Sequence, residues 1–329
     1  MVRKIGVSHD NQDVFAIDIW SGSLSATILT WGAVVQDLRL AGHEPPLVLG
    51  FKKFKYYPRH SPYFGAIVGR YANRISDGQA KIAGRPHQFD TNFLGKHCLH
   101  GGTIGYGVRD WALSDHAHDF VELHLTDPDG MMGFPGNVDL RTRYEISDGA
   151  TLAITITASS DTTTLFNPAH HSYFCLDGSN DIRSHEIRIS ADHYLPVDDE
   201  AIPTGEIATV TGTRFDLRWP SLIGDTGFDH NFCLGAERGP LRHVASVRST
   251  KSGVAMQVAT TEPGLQFYTG HKLGPPVPGL SKHPYVPFSG FCLEPQIWPD
   301  APNNLHFPSA LLQPGTIYRQ QTTFAFHSV

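Results

Sequence analysis

The chain has 329 residues, of which 40% are hydrophobic and 18% charged, with a formal net charge of -6; that is ample for a core and too little charge for a disordered chain. No basic run is present, which excludes the electrostatic footprint of a nucleic-acid or anionic-lipid binder and leaves a small neutral partner as the expectation. No stretch approaches the roughly 18 consecutive apolar residues of a membrane span. Arg3 and Lys4 near the start are not followed by an apolar run, so the expected location is the cytoplasm.

The opening window alternates. Phe15, Ile17 and Ile19 interleave with Ala16, Asp18 and Trp20, and Leu24, Ala26 and Ile28 with Ser23, Ser25 and Thr27, which predicts a hairpin turning at Ser21-Gly22. Trp31 to Leu38 and Leu47 to Gly50 are expected to continue as short strands, and the basic, aromatic stretch from Phe51 to Pro62 to form an irregular surface segment. Gly65 to Gly78 reads as a strand running into a turn, its glycines matching no phosphate-binding spacing. Taken alone, Arg70 and Arg74 there read as partners of surface carboxylates. A further hairpin is expected around Gly84-Arg85-Pro86.

From Val121 onward the period-2 pattern recurs. Leu140, Thr142, Tyr144 and Ile146 alternate with Arg141, Arg143 and Glu145; Leu152, Ile154 and Ile156 with Ala153, Thr155 and Thr157; Val254, Met256 and Val258 with Ala255, Gln257 and Ala259. Such strands belong to antiparallel sheet with one face buried. No window carries a convincing helical period, and 32 glycines and 23 prolines supply turns. Long antiparallel sheets bury one face against another sheet, so the fold class is all-β and the architecture a large β-sandwich. Length alone allows two domains, but all-β chains often run well past 200 residues as one unit. Cys98, Cys175, Cys233 and Cys292 are far apart with no CxxC and read as reduced, buried thiols.

Two residues stand out as proton carriers. Glu294 follows the apolar run Phe291-Cys292-Leu293 and precedes a proline-punctuated loop, so it is expected where a strand ends. His171 lies in Ala169-His170-His171-Ser172-Tyr173-Phe174. Glu and His are the side chains most readily tuned to trade protons near neutral pH. Read singly, each is more often structural: a Glu after an apolar run is a surface residue, and Asp229-His230-Asn231 is an Asx turn. The histidines show no HxH or HExxH spacing, so no metal is expected.

Taken together, Gly69-Arg70-Tyr71-Ala72-Asn73-Arg74-Ile75, Leu99-His100-Gly101-Gly102, His171-Ser172-Tyr173-Phe174, Phe228-Asp229-His230-Asn231-Phe232, Pro263-Gly264-Leu265-Gln266-Phe267-Tyr268-Thr269-Gly270 and Cys292-Leu293-Glu294-Pro295-Gln296 resemble, in order, the signature set of the aldose 1-epimerases, or galactose mutarotases. The resemblance implies a single domain over 1-329 with the galactose mutarotase-like β-supersandwich fold. It implies a free aldose as substrate and no cofactor. Glu294 would be the general base, His171 the general acid and His100 a second histidine near the ring oxygen or C1; Asn73, Arg74, Asp229 and Gln266 would bind sugar hydroxyls. Tyr71 or Trp298 would cover the apolar face of the sugar. The chain departs from the family pattern at His170 and His271, where asparagine is usual. The expected assembly is a monomer or homodimer without nucleic-acid or membrane partners.

Anomer interconversion needs only two positioned proton carriers. One removes the proton of the C1 hydroxyl while the other protonates the ring oxygen; the ring opens, the C1–C2 bond rotates, and reclosure inverts C1. A glycosidase would use two carboxylates and leaves His171 without a role. A sugar-binding or sensing module need not keep both Glu294 and His171. A hexose-6-phosphate epimerase calls for a basic cluster, for which only Arg70 and Arg74 are offered.

Overall fold

The computed structural model describes residues 1–61, 63–147 and 149–328. Where the sequence alternates, the strands alternate in burial. Val138–Ser147 and Thr151–Ser160 bury every second residue and pair antiparallel along their whole length. They lie inside a nine-stranded antiparallel sheet among the described residues, which also holds Phe120–Asp127, Tyr318–Ser328, Val254–Thr260 and Arg242–Ser249. A six-stranded sheet faces it, in the order Tyr173–Phe174, Phe291–Gln296, Gly264–Tyr268, Asp229–Cys233, His193–Tyr194 and Ala208–Thr209. A four-stranded sheet from Val2–Val7 to Val35–Leu40 precedes both.

The two larger sheets meet through aromatic and aliphatic side chains of one core. Phe174 lies 4.9 Å, ring centre to ring centre, from Phe324 of the long C-terminal strand, and Leu265, Phe267, Phe291 and Leu293 are buried in the same cluster as Ile154, Met256 and Val258. Full burial of such a side chain contributes about 1.5–3 kcal/mol, so this face fixes the strand register of the smaller sheet. A polar tie adds to it: the buried Gln320 amide donates to the Pro295 carbonyl at 2.9 Å.

The opening hairpin forms as expected, between Asp13–Ser21 and Leu24–Leu29. Several expectations need correction. Between Trp31 and Leu38 the strand begins only at Val35, because Gly32 and Ala33 take positive φ of 66° and 49° and break the extended path. Leu47 to Gly50 makes only a single bridge, Val48 to Phe174. The segment after Phe51 is not a loose surface loop: it forms two short helical turns, Phe54–Tyr56 and Tyr57–His60, with Phe51, Phe54 and Tyr57 buried. Pro62, at the end of that segment, lies outside the described residues. In the hairpin near residue 84 the turn is Ala83-Gly84, and Arg85 and Pro86 already belong to the returning strand.

Candidate active site

Successive side chains of a strand point to opposite faces, and the six-stranded sheet is sorted accordingly. Its apolar face, described above, meets the core. Its other face carries Tyr173, Cys292, Glu294, Gln296, Gln266, Tyr268, Asp229 and Asn231. Register sets the rows: Tyr173 opposes Cys292, Cys292 opposes Tyr268 and Tyr268 opposes Asp229, while Glu294 opposes Gln266 and Gln266 opposes Asn231. Glu294 therefore lies inside the Phe291–Gln296 strand, not at its end as the sequence pattern suggested. This polar face is unusually under-bonded. Glu294 Oε2, Gln266 Oε1, and both amide atoms of Asn231 and Gln296 are buried with no hydrogen-bond partner among the described residues, and buried polar atoms left in this way favour a polar ligand.

Two loops cover that face. The first is anchored by Arg70, which is fully buried. Its Nε donates to Asp127 Oδ2 at 2.7 Å and its Nη1 to the Pro135 and Gly136 carbonyls and to Thr164. Asp127 also receives Arg109. Arg70 thus pairs with a buried carboxylate, not a surface one, and is enclosed by its partners.

The second loop is clipped to the first. The Asn73 amide donates to His100 Nδ1 at 3.1 Å, and the His100 amide donates back to the Asn73 carbonyl at 2.9 Å. Asn73 and His100 hold positive φ of 61° and 52°. Gly101, at φ +84°, has no room for a side chain, since a Cβ would lie 2.1 Å from the Gly69 carbonyl oxygen.

The clip brings Arg74 over the sheet. Its Nη2 lies 3.3 Å from Asp229 Oδ2 and its Nη1 3.2 Å from Asn73 Oδ1, with its guanidinium 4.7 Å from the Phe93 ring centre. Asp229 Oδ1 in turn receives the Gln266 amide at 2.7 Å. His171, just after the Ala169–His170 strand, presents Nε2 to Glu294 Oε2 at 3.5 Å and Nδ1 to Cys292 Sγ at 3.6 Å. Its ring lies 5.2 Å from that of His100, and the Tyr63 ring covers both at 4.6 and 5.8 Å. The neighbouring His170 points the other way, to Ser172, Tyr144 and Phe324.

Burial dominates the electrostatics. It pushes the Glu294 carboxyl well above its usual range, helped by the negative charge of Asp229 and only partly opposed by Arg74. Burial also pushes His171 down to about 4, against weaker upward pulls from its own carbonyl and Asp229. His100 is held well below its ordinary value by burial, His171 and Arg74. Burial works against the charge of Asp229 too, but Arg74 and the Gln266 amide outweigh it and hold that carboxyl below its ordinary value. The contact between His171 and Glu294 is an ion pair only with the proton on His171. Desolvation of both favours the proton on Glu294, so the resting pair is a carboxylic acid facing a neutral imidazole.

The family model described as aldose 1-epimerase matches residues 16–325. The chain belongs to the aldose 1-epimerase family. It is 42% identical to the galactose mutarotase of Bos taurus over 318 residues, covering 93% of this chain and 92% of that one. It is 33% identical to the aldose 1-epimerase of Escherichia coli K12 over 323 residues, 93% of each. Among solved structures, the Caenorhabditis elegans GalM/aldose epimerase homologue aligns with a TM-score of 0.89 at 30% identity, covering 95% of this chain and 99% of that one. The galactose 1-epimerase of Lactobacillus acidophilus aligns with a TM-score of 0.86 at 27% identity, covering 100% and 98%. The all-β sandwich of this epimerase is the fold of those galactose mutarotase-like structures.

In this epimerase the seven residues singled out from the sequence as base, acids and sugar ligands, Glu294, His171, His100, Asn73, Arg74, Asp229 and Gln266, form one connected cluster through the contacts above. Tyr71 and Trp298 do not join it. Both are buried in a separate core cluster, the Tyr71 hydroxyl donating to the Trp298 carbonyl and the Trp298 indole to the Pro263 carbonyl, so neither offers a ring to a sugar. Half-buried aromatic rings beside the cluster include Tyr63, Phe93 and Tyr268. Tyr63 had no sequence signal, falling between the segment read as irregular surface, which ends at Pro62, and the strand read from Gly65. Asn231 and Gln296 sat inside quoted motifs, and strand parity with Asp229 and Glu294 would have placed them on the same face. His171, Cys292 and Glu294 also bring donor atoms within 4.8 Å of one another, a proximity that no sequence spacing disclosed.

Proposed function

We propose that the protein interconverts the α and β anomers of a free aldose, with Glu294 as general base and His171 as general acid. The observation that carries this reading is the single contact of Glu294 Oε2 with His171 Nε2 at 3.5 Å, buried at the centre of a face rich in unpaired polar atoms. One proton is shared by that pair. With the proton on His171, the Glu294 carboxylate takes the C1 hydroxyl proton while His171 Nε2 protonates the ring oxygen. The C1–O5 bond breaks, its electrons going to the ring oxygen, and C1 becomes an aldehyde. After rotation about C1–C2 the same groups run the steps in reverse, so the enzyme returns to its starting state.

Arg74, Asp229, Asn73 and Gln266 bind hydroxyls in this scheme, and their mutual hydrogen bonds hold them in place before the sugar arrives. His100 sits beside the ring oxygen or C1. The family match over residues 16–325 supports treating the chain as one catalytic unit. No described helix is long and apolar enough to cross a membrane; the proposed setting is a cytoplasmic monomer or homodimer acting without nucleic acid.

The competing readings fit the geometry less well. A glycosidase would pair Glu294 with Asp229, but Asp229 is tied to Arg74 and Gln266. A phosphorylated sugar would need free cations, and Arg70 is consumed by Asp127 and backbone carbonyls. The names of the relatives favour galactose as a substrate.

The test is polarimetry on freshly dissolved α-D-galactose, α-D-glucose and L-arabinose, with wild type beside Glu294→Gln and His171→Asn. Mutarotation well above the buffer rate, lost in both variants, is the expected result and ranks the sugars. A wild-type rate equal to the buffer rate on every sugar would overturn the reading in favour of a binding module.

A further inference from the structure

The reaction scheme explains the Nε2 side of His171 and leaves its Nδ1 side unassigned. An imidazolium that gives up its Nε2 proton must keep a proton on Nδ1, and that N–H needs an acceptor. In hydrolase triads a carboxylate fills this place and stabilises the imidazolium. Here the side chain facing Nδ1 is Cys292, whose sulfur lies 3.6 Å away with the residue fully buried. Cys292 and Glu294 are two apart on one strand and point to the same face, so this strand addresses both nitrogens of the same ring.

The strand partner of Cys292 flanks the same ring. Tyr173 opposes Cys292 in register, and its ring lies 5.1 Å from that of His171. The carbonyl oxygen of His171 also draws on its own ring N–H. The remaining titratable or charged neighbours include Glu294 on the Nε2 side, Asp229 and Tyr268 across the sheet, His100 with Arg74 behind it, Tyr63 above and His170 before it in sequence. None of the carboxylates makes a direct contact with Nδ1.

We infer that Cys292 is a positioning residue for the acid: its sulfur accepts the Nδ1 proton of His171, so that Nε2 is the one ring nitrogen that exchanges a proton with Glu294 and the sugar. This rests on the reading of His171 as the acid. The chemical consequence is a difference from the carboxylate-backed triads. A neutral thiol selects the tautomer without stabilising the positive charge, so the imidazolium remains a strong acid suited to a weakly basic ring oxygen. The thiol stays neutral because burial, reinforced by Glu294, pushes it well above its ordinary range.

The experiment is nitrogen NMR of ¹⁵N-histidine-labelled, sugar-free protein, with the His171 signals identified by their loss in His171→Asn. Parallel polarimetry on Cys292→Ser and Cys292→Ala completes it. The proton is expected on Nδ1 in wild type and in Cys292→Ser, whose hydroxyl also accepts, and to be spread over both nitrogens in Cys292→Ala. The alanine variant should lose about 10- to 100-fold in kcat, as when a group orienting a working imidazole is removed, with KM unchanged and most of the loss restored by serine. A wild-type protein with its proton on Nε2, or an alanine variant with wild-type tautomer and pH–rate profile, overturns the inference. A tautomer set by Cys292 supports it even if no sugar mutarotates, a result that would sink the reaction reading alone.

Discussion

Replacing Glu294 by Gln should make the sugar-free protein more stable while abolishing catalysis. The carboxyl is 2% exposed, its Oε2 has no hydrogen-bond partner among the described residues, and Asp229 adds repulsion. A buried, unsatisfied acceptor costs about 1–3 kcal/mol, and glutamine keeps the shape without the charge, so a gain of about 1–2 kcal/mol is expected at alkaline pH. The sign follows from the direction of the shift. A carboxyl whose folded pKa lies above its unfolded value imposes no penalty while it is protonated in both states. It loses stability as pH rises from its unfolded value of about 4.5 through its folded value. The variant's advantage should therefore be small at pH 5 and largest near pH 8.5. Urea unfolding at the two pH values measures it. Mutarotation should fall by about 10²- to 10⁴-fold, the usual worth of one positioned proton carrier. If the variant were no more stable than wild type at pH 8.5, the carboxyl would not be desolvated and the placement of the resting proton on Glu294 would be wrong.

Asp127→Asn strands the buried Arg70 and the partly buried Arg109 on one side chain that can no longer carry their counter-charge. Breaking such a buried pair costs about 3–5 kcal/mol, so chemical denaturation should show a large loss of stability and polarimetry a loss of activity from the disordered Asn73 loop. His171, held down to about 4, gives a separate pH signature. It is neutral in the fold, whereas the unfolded chain takes up its proton near 6.5, so stability falls as pH drops below 6.5. At pH 4.5 the loss from this residue is about 2–3 kcal/mol. His171→Asn should remove that part of the acid slope in urea titrations at pH 7 and 4.5; an unchanged slope would refute the assignment.

The strands were legible because their signal is local. Thr151 to Ser160 announces its buried face residue by residue, and each alternating segment named from the sequence became a strand. Alternation says which side chains share a face but not which faces meet. Tyr71 and Trp298 looked available to a sugar only because nothing local reveals that a second small core closes over them. The segment after Phe51 looked like surface because its buried residues, Phe51, Phe54 and Tyr57, follow the spacing of short helical turns. Glu294 was placed at a strand end by the proline after it, yet Pro295 fits the strand interior because its missing N–H faces away from the Gly264–Tyr268 ladder, on the side where its carbonyl is taken by Gln320. The candidate site residues lie on motifs that break the alternation, which is why they could be singled out. Tyr63 had no motif, and the contact of Cys292 with His171 depends on a distance that only the folded sheet supplies.

The clip between Asn73 and His100 has an effect beyond holding two loops together. The lone pair of His100 Nδ1 is occupied by a main-chain N–H, and the ring stays neutral, so its proton is obliged to sit on Nε2. The backbone thereby turns one of two neighbouring histidines into a donor of fixed direction that neither gains nor loses charge when its neighbour does. In the proposed reaction, a proton moving on and off His171, 5.2 Å away ring to ring, would leave His100 presenting the same hydrogen throughout ring opening and closure. The division of labour between two chemically identical side chains is thus written in a peptide bond.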